Sequence, residues 1–277
     1  MTIYIVASYL KEKAKTAAEL VAKTLIENGA TCLIDENLTG FSLQNCENIL
    51  QKDAFKKADI VLTIGGDGTL LHTAAQLIND PLPLLGINVG RLGFLTELET
   101  NEIEKLKLLC TGDYSIIKRK TINAQVGKKT FYALNEVVLC STNVMRAIRY
   151  NVKCDDMEIN SYRGNGVIVA TPTGSTAYSL SAGGPIVDAE LDCLIVTPVC
   201  AHSLNTPPLV FSENRKLKLQ ASECGDVQVE LVVDGVSQIE IKSKEIINVT
   251  LSQKYIPFIR FGAGQQFKAI DQKLKRR

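Results

Sequence analysis

Ile60-Val61-Leu62-Thr63-Ile64 runs straight into Gly65-Gly66-Asp67-Gly68-Thr69, after which Leu70, Leu71, Ala74, Ala75, Leu77 and Ile78 recur at helical spacing. An apolar run stopped by glycines reads as a buried strand and the period behind it as a helix, so the glycines turn one into the other. Such a corner suits an anion. Glycine lets the backbone come close to a ligand, and the free N–H groups and dipole of a helix start favour negative charge. Asp67 is the odd member, because a carboxylate among phosphates repels them unless it takes a proton from a hydroxyl or helps hold a metal. The plain structural alternative is a tight turn with a capping Asp. Neither common glycine motif is present: reading Gly66-x-Gly68 as a dinucleotide fingerprint puts Leu71 at the third glycine, and there is no Gly-Lys-Ser/Thr for a P-loop.

Around this corner the first part of the chain alternates strand and helix. Ile3 to Ala7 predicts a strand, Glu12 to Asn28 a helix ended by Gly29, Thr31 to Ile34 a strand, Cys46 to Ala58 a weaker helix, Asp59 to Ile64 the third strand, Leu70 to Asn79 its helix, and Leu84 to Asn88 a further strand. Alternation of this kind implies a parallel sheet with flanking helices and ligands outside the carboxyl ends of its strands. With 277 residues the chain has room for two domains. The pattern changes near Cys110. From there short β-rich runs dominate: Ser115 to Arg119, Thr121 to Val126, Thr130 to Ala133, Glu136 to Leu139, Ile148 to Cys154, Val167 to Ala170, Cys193 to Val199, Lys216 to Gln220, Gln228 to Val233 and Ile246 to Leu251. They predict a mainly antiparallel, sandwich-like second domain, broken by a short helix over Ala177 to Ala182. The expected division is 1–110, 111–260 and a polar tail, 261–277, that is a solvated helix or frayed end or docks on the first domain.

Lys plus Arg number 31 against 30 Asp plus Glu, so no global field draws nucleic acid or an acidic membrane. The 8 cysteines are scattered without a C-x-x-C pair, which suits reduced thiols of a cytoplasmic protein. The amino end reads as a strand rather than a signal peptide, and no apolar run is long enough for a membrane span. His72 follows the glycine corner by one turn and reads as a structural or supporting residue; His202 is the better site candidate. No spacing suggests a metal cage of protein ligands. Asp234-Gly235 reads most simply as a turn.

A second strand-turn-helix corner lies at Asn165-Gly-Val-Ile-Val-Ala-Thr-Pro-Thr-Gly-Ser-Thr-Ala-Tyr178. Its four hydroxyls exceed what one helix cap needs and can line a pocket for a base and ribose, while Asn135-Glu136 offers acceptors for sugar hydroxyls or, taken alone, is a surface pair at a strand end. Gly65 to Thr69, Asn88 to Leu95, Asn135-Glu136, Thr171 to Pro185 and His202 to Val210 together resemble, in order and spacing, the NAD kinases. Gly-Gly-Asp-Gly is shared with lipid and sugar kinases; Thr-Pro-Thr-Gly-Ser-Thr-Ala-Tyr followed by Ser-Ala-Gly-Gly-Pro is far more specific. The resemblance implies an α/β domain and a β-sandwich-like domain with the site between them, in a homodimer or homotetramer. It implies transfer of the γ-phosphoryl of ATP to the 2′-hydroxyl of NAD's adenosine ribose, with Asp67 as base and Mg²⁺ arriving with ATP. Gly65, Gly66, Gly68 and Thr69 would cradle the donor phosphates. Asn135, Glu136, Arg163, Asn165, Thr173, Thr176, Ala177, Tyr178 and His202 would bind NAD. Two positions depart from the family: Asn165 stands where an Asp is usual, and Pro207 where an Arg is common, leaving Arg163, Arg91 or another cation to serve. The rivals are a nucleotide-binding regulator without catalysis and a lipid or sugar kinase sharing the glycine corner.

Overall fold

The structure, a computed structural model, describes residues 1–8, 12–38, 46–90, 93–203, 205–262 and 269–271. It divides into two compact units, Met1–Lys118 with Ile256–Arg277 and Arg119–Tyr255.

The first unit opens with β1 (Thr2–Ala7), α1 (Glu12–Glu27), β2 (Thr31–Asp35), β3 (Cys46–Ile49), α2 (Gln51–Lys57), β4 (Ile60–Gly65), α3 (Asp67–Leu77) and β5 (Leu84–Asn88). β6 (Leu98–Glu99), a 3-10 stretch over Thr100–Leu106 and α4 (Lys107–Thr111) follow. The strands lie parallel in the order β3-β2-β1-β4-β5. β4 is buried along its whole length, which is why it reads as an unbroken apolar run rather than an alternating one. Ile3, Ile5, Ile34 and Leu62 pack with Ala14, Ala18, Val21 and Leu25 of α1 in one core. Winding runs outward from β1 to β3, then returns past β1 to β4. The order therefore reverses between β1 and β4, where a crevice for ligands opens at the carboxyl ends. The glycine corner stands at that end of β4.

One expected helix is corrected. Cys46 to Ala58 is strand β3 followed by α2, because Cys46–Ile49 pairs in parallel with Cys32–Asp35 of β2. Glu47 and Asn48 are exposed on this outer strand, so it lacks the apolar signal of its neighbours.

The second unit holds β7 (Ser115–Val126, its first four residues in the first unit), β8 (Lys129–Ala133), β9 (Glu136–Ser141), β10 (Ile148–Cys154), β11 (Met157–Gly164) and β12 (Gly166–Ala170). A 3-10 turn at Thr173–Thr176 leads into α5 (Tyr178–Ser181), as the short helix expected there requires. β13 (Cys193–Val199), β14 (Leu209–Ser212), β15 (Leu217–Ser222), β16 (Val229–Val233), β17 (Ser237–Ile241) and β18 (Ile246–Arg260) complete it, the last five residues of β18 belonging to the first unit. One sheet, ordered β14-β13-β12-β9-β16-β17, is wholly antiparallel. Its inward residues Val137, Leu139, Val167 and Val169 share a core with Tyr150, Val152, Leu217, Leu219 and Val249 of the antiparallel strands β10, β15 and β18. This is the two-residue alternation of a sandwich. The other face carries Val138, Ile168, Ala170 and Ile195 in a smaller cluster. Glu136, paired with Ala170, ends that face.

Ser115 to Arg119 and Thr121 to Val126 join into the single strand β7, and Ile246 to Leu251 extends to Arg260 as β18. Most of the tail from Gln265 on lies outside the described residues. Among the described residues no helix is long and apolar enough to cross a membrane.

Candidate active site

In the first unit the corner is made by β4 and α3. Gly66 is the N-cap of α3, in extended conformation with no side-chain cap, so Asp67 is not the capping residue of the structural alternative. The first turn closes through Thr69 and Leu70 N–H to Gly66 O. That leaves the amides of Asp67 and Gly68 without helical partners by the geometry of any helix start. The glycines differ in why they are glycine. A Cβ on Gly65 would run into Thr69, its Cβ 2.9 Å away, whereas one on Gly68 would meet no protein atom within 4 Å. Packing demands the first; the second leaves open space over the amides. A pocket of about 500 Å³ opens there, lined among others by Ser8, Asp35, Gly66, Gly68, Thr69 and His72. The His72 Nε2 lies 3.1 Å from Gln76 Nε2 on the exposed side of α3. His72 thus stands at the pocket wall.

The Asp67 carboxylate is turned away from its own helix. Oδ2 accepts the Phe94 N–H at 2.8 Å and Oδ1 the Leu95 N–H at 3.1 Å. Two bonds to two oxygens fix the plane of the group, while each oxygen keeps another acceptor direction. Nearby, Asn88 Oδ1, at the end of β5 beside Gly65, and Thr96 Oγ1 are buried without a hydrogen-bond partner. Arg91 lies outside the described residues.

In the second unit Asn135 and Glu136 are held by their main chain. Asp234, at a turn with φ +48°, accepts the N–H groups of Leu134 at 2.7 Å, Asn135 at 2.8 Å and Glu136 at 3.0 Å. Thr171 grips the same segment, its N–H on Asn135 O at 2.8 Å and its hydroxyl on Leu134 O at 2.6 Å. Gly174 packs so closely that a Cβ would stand 2.8 Å from Asn135 Cα. The backbone is saturated and the side chains are not: Asn135 Oδ1 and Glu136 Oε2 are buried acceptors without a partner. Burial, then the charge of Asp234, pushes the Glu136 carboxyl up to about 8 against the pull of the Tyr178 amide. Asp234 is pushed up to about 6 by burial, opposed by the amides it accepts.

The expected NAD-binding residues fall into two groups at opposite ends of the β9–β12 ladder. Asn135 and Glu136, with Thr173, Thr176, Ala177 and Tyr178, stand at the Glu136↔Ala170 end; Arg163, Asn165 and His202 stand beyond the Cys140↔Gly166 end. The ends lie ~13 Å apart at the usual rise of a strand. At the second end the main chain knits the residues together: His202 N–H reaches Arg163 O at 2.8 Å and Asn165 N–H reaches Val199 O at 2.9 Å. Asn165 Nδ2 donates to Val144 O at 2.7 Å, and the Arg163 guanidinium is shared between Glu223 and Ala147 O. Of the four hydroxyls in the Thr171–Tyr178 corner, those of Thr171, Ser175 and Thr176 donate to Leu134 O, Pro172 O and Thr173 O, so most of the apparent excess is structural. Tyr178 is exposed, and burial, then the neighbouring Cys140, Cys200 and Glu136, raise its hydroxyl's pKa.

Sequence reasoning missed Asp234 as an anchor and Gly93 beside Asp67. Asp234-Gly235 reads as a turn, with an echo of the family near its NAD site, and neither signal names the amides that Asp234 satisfies.

Residues 3–114 match the ATP-NAD kinase N-terminal domain and residues 134–261 the ATP-NAD kinase C-terminal domain. The chain belongs to the ATP-NAD kinase family and is an enzyme of that family. It is 37% identical to the NAD kinase of Caldicellulosiruptor bescii over 276 residues, 99% of this chain and 100% of that one. With the NAD kinase of Methanopyrus kandleri it shares 34% over 266 residues, 95% and 94% of the two chains. Yeast NADH kinase complexed with NADH superposes with a TM-score of 0.89 at 24% identity, covering 99% of this chain and 87% of that one. An Archaeoglobus fulgidus NAD kinase in complex with ATP gives 0.79 at 24%, covering 99% of each. At that identity the likeness is one of fold.

Proposed function

We propose that this protein transfers the γ-phosphoryl group of ATP to the 2′-hydroxyl of the adenosine ribose of NAD, giving NADP and ADP. The observation that carries the reading is the pair of buried, empty acceptors Asn135 Oδ1 and Glu136 Oε2 on a segment whose backbone is fully bonded. An unmet buried acceptor costs about 1–3 kcal/mol, so the pair is built to receive hydroxyl donors, and vicinal ribose hydroxyls supply them.

In this reading the amides at the start of α3 and the open space over Gly68 take donor phosphate oxygens, with Gly65, Gly66 and Thr69 shaping the turn. Asp67 accepts the 2′-hydroxyl proton through an acceptor direction left free by Phe94 and Leu95. The O2′–Pγ bond forms, the bond from Pγ to the β-γ bridging oxygen breaks, and ADP leaves. Phosphoryl transfer asks the chain mainly for such positioning. Tyr178, Thr173, Thr176 and Ala177 line the base side of the acceptor, and Arg163, Asn165 and His202 its far end. Two carboxylates, Asp67 and Asp35, beside a phosphate cradle match the way Mg²⁺ is held, largely by phosphates and water, and Mg²⁺ carried by ATP would neutralise phosphate charge. The eight free thiols suit a cytoplasmic enzyme. We read it as a homodimer or homotetramer, which light scattering on the purified protein checks.

Purified protein incubated with NAD, ATP and Mg²⁺ forms NADP, measured by chromatography. Binding of NAD without any NADP, with ATP or polyphosphate as donor, would replace the kinase reading by that of a nucleotide-binding regulator.

A further inference from the structure

Gly93 is buried. What excludes a side chain is Asp67. A Cβ on Gly93 would collide with Asp67 Oδ1, and would stand 2.9 Å from its Cγ and 2.8 Å from Thr96 Oγ1. The two residues that follow Gly93 are the ones whose amides grip the carboxylate.

We infer that Gly93 is a positioning residue for Asp67: its missing side chain lets the Phe94 and Leu95 amides close on the carboxylate and set the direction of its remaining acceptor sites. The inference rests on the reading of Asp67 as the base.

The loop cannot easily retreat to admit a side chain. Glu97 N–H is bonded to Gly86 O of β5 at 2.9 Å. The Glu97 carboxylate takes Arg260 Nη1 at 2.5 Å and Phe261 N–H at 2.8 Å, and the two charged side chains are 2% and 7% exposed. A loop anchored this way at its far end holds its place. The Asp67 side chain, with two torsions to turn, is the part that gives. A side chain at Gly93 would press on the Asp67 carboxylate and, less closely, on Thr96 Oγ1, so its effect on the rate runs through Asp67. A shift of the base by about 1 Å is enough to cost ~10²-fold in rate.

The test is a double-mutant cycle on the full chain. Gly93→Ala is expected to lower kcat for NADP formation ~10- to 100-fold with KM for NAD within about twofold. In an Asp67→Asn background it is expected to lower kcat no further, since the base it positions is already gone. An equal loss in both backgrounds, or a Gly93→Ala enzyme with wild-type kcat, overturns the inference while leaving the base reading intact. Asp67→Asn with a near wild-type rate overturns the base reading, and the inference with it. Thermal unfolding closes the case where Gly93→Ala alone folds poorly. The substitution should lower the midpoint more against wild type than against Asp67→Ala, where the colliding carboxylate is absent and only Thr96 Oγ1 is met; a drop of equal size in both would refute the contact.

Discussion

The two units treat their key carboxylates in opposite ways. Asp67 sits at a half-buried helix start and has both oxygens bonded to main-chain amides 27 and 28 residues along the chain. Glu136 is buried at a strand start with one oxygen empty, and the amides around it go to Asp234 instead. A group that is to take a proton must be aimed, and amides aim it. A group that is to receive hydroxyls must keep an acceptor open, and Asp234 keeps it open by satisfying the backbone that would otherwise compete. On the proposed reading, part of the binding energy for a sugar is stored in unmet burial, whereas the corner in the first unit stores geometry.

The sharpest way to break this comparison is to remove Asp234. Asp234→Ala leaves three buried amides without an acceptor, at about 1–3 kcal/mol each. Unfolding midpoints in denaturant should fall by the equivalent of ~3 kcal/mol or more, and NAD affinity should fall with them. A loss under ~1 kcal/mol would mean that water replaces the carboxylate and that Asp234 is the simple turn residue its sequence suggests.

Next in size is the pH dependence of Glu136. Its folded-state value of about 8 stands above the ordinary 4.5. The folded chain thus holds a proton that the unfolded chain has lost between these values. The stabilisation is present in full below the unfolded value and is lost as pH rises through about 8. The ligand-free protein should unfold at a lower temperature at pH 8 than at pH 6, and Glu136→Gln should flatten the difference. Hydroxyl donors favour the carboxylate, so NAD should bind with proton release and more tightly as pH rises, by up to ~tenfold per pH unit. Calorimetry in buffers of different ionisation enthalpy reads the proton; a pH-independent affinity would show that hydroxyls do not meet this carboxyl.

The smallest effect belongs to Gly68. Gly68→Ala adds a Cβ that meets no protein atom within 4 Å. Stability should stay level or rise by ~0.5–1 kcal/mol, since alanine favours a helix. The methyl group nevertheless fills the space over the amides, so KM for ATP should rise severalfold while KM for NAD holds. An unchanged KM for ATP would place the donor phosphates elsewhere.

Strands buried on both faces were legible from the sequence. Leu84–Asn88 and Cys193–Val199 begin and end where their apolar runs do. β3 was not, because Cys-Glu-Asn-Ile is half exposed and becomes a strand only through β2. The motif residues were legible as types but not as partners. Arg163 reads as a free cation for NAD, yet it is paired with Glu223 sixty residues away. Glu97 and Arg260 are 163 residues apart, and no local period couples them. The role of Asp234 was hidden for the same reason, since its three amides lie 98 to 100 residues upstream. Periodicity reports burial of a face; it carries no information about which distant backbone a buried carboxylate will satisfy.

The most direct measurement of the division between the two carboxylates is steady-state NADP formation by Asp67→Asn and Glu136→Gln beside the wild-type enzyme. Asp67→Asn should lose ~10²- to 10⁴-fold in kcat with KM for NAD nearly unchanged, and Glu136→Gln should raise KM for NAD at least ~tenfold with kcat far less affected. The reverse pattern, with Asp67→Asn turning over at close to the wild-type rate and Glu136→Gln losing kcat, would contradict that division.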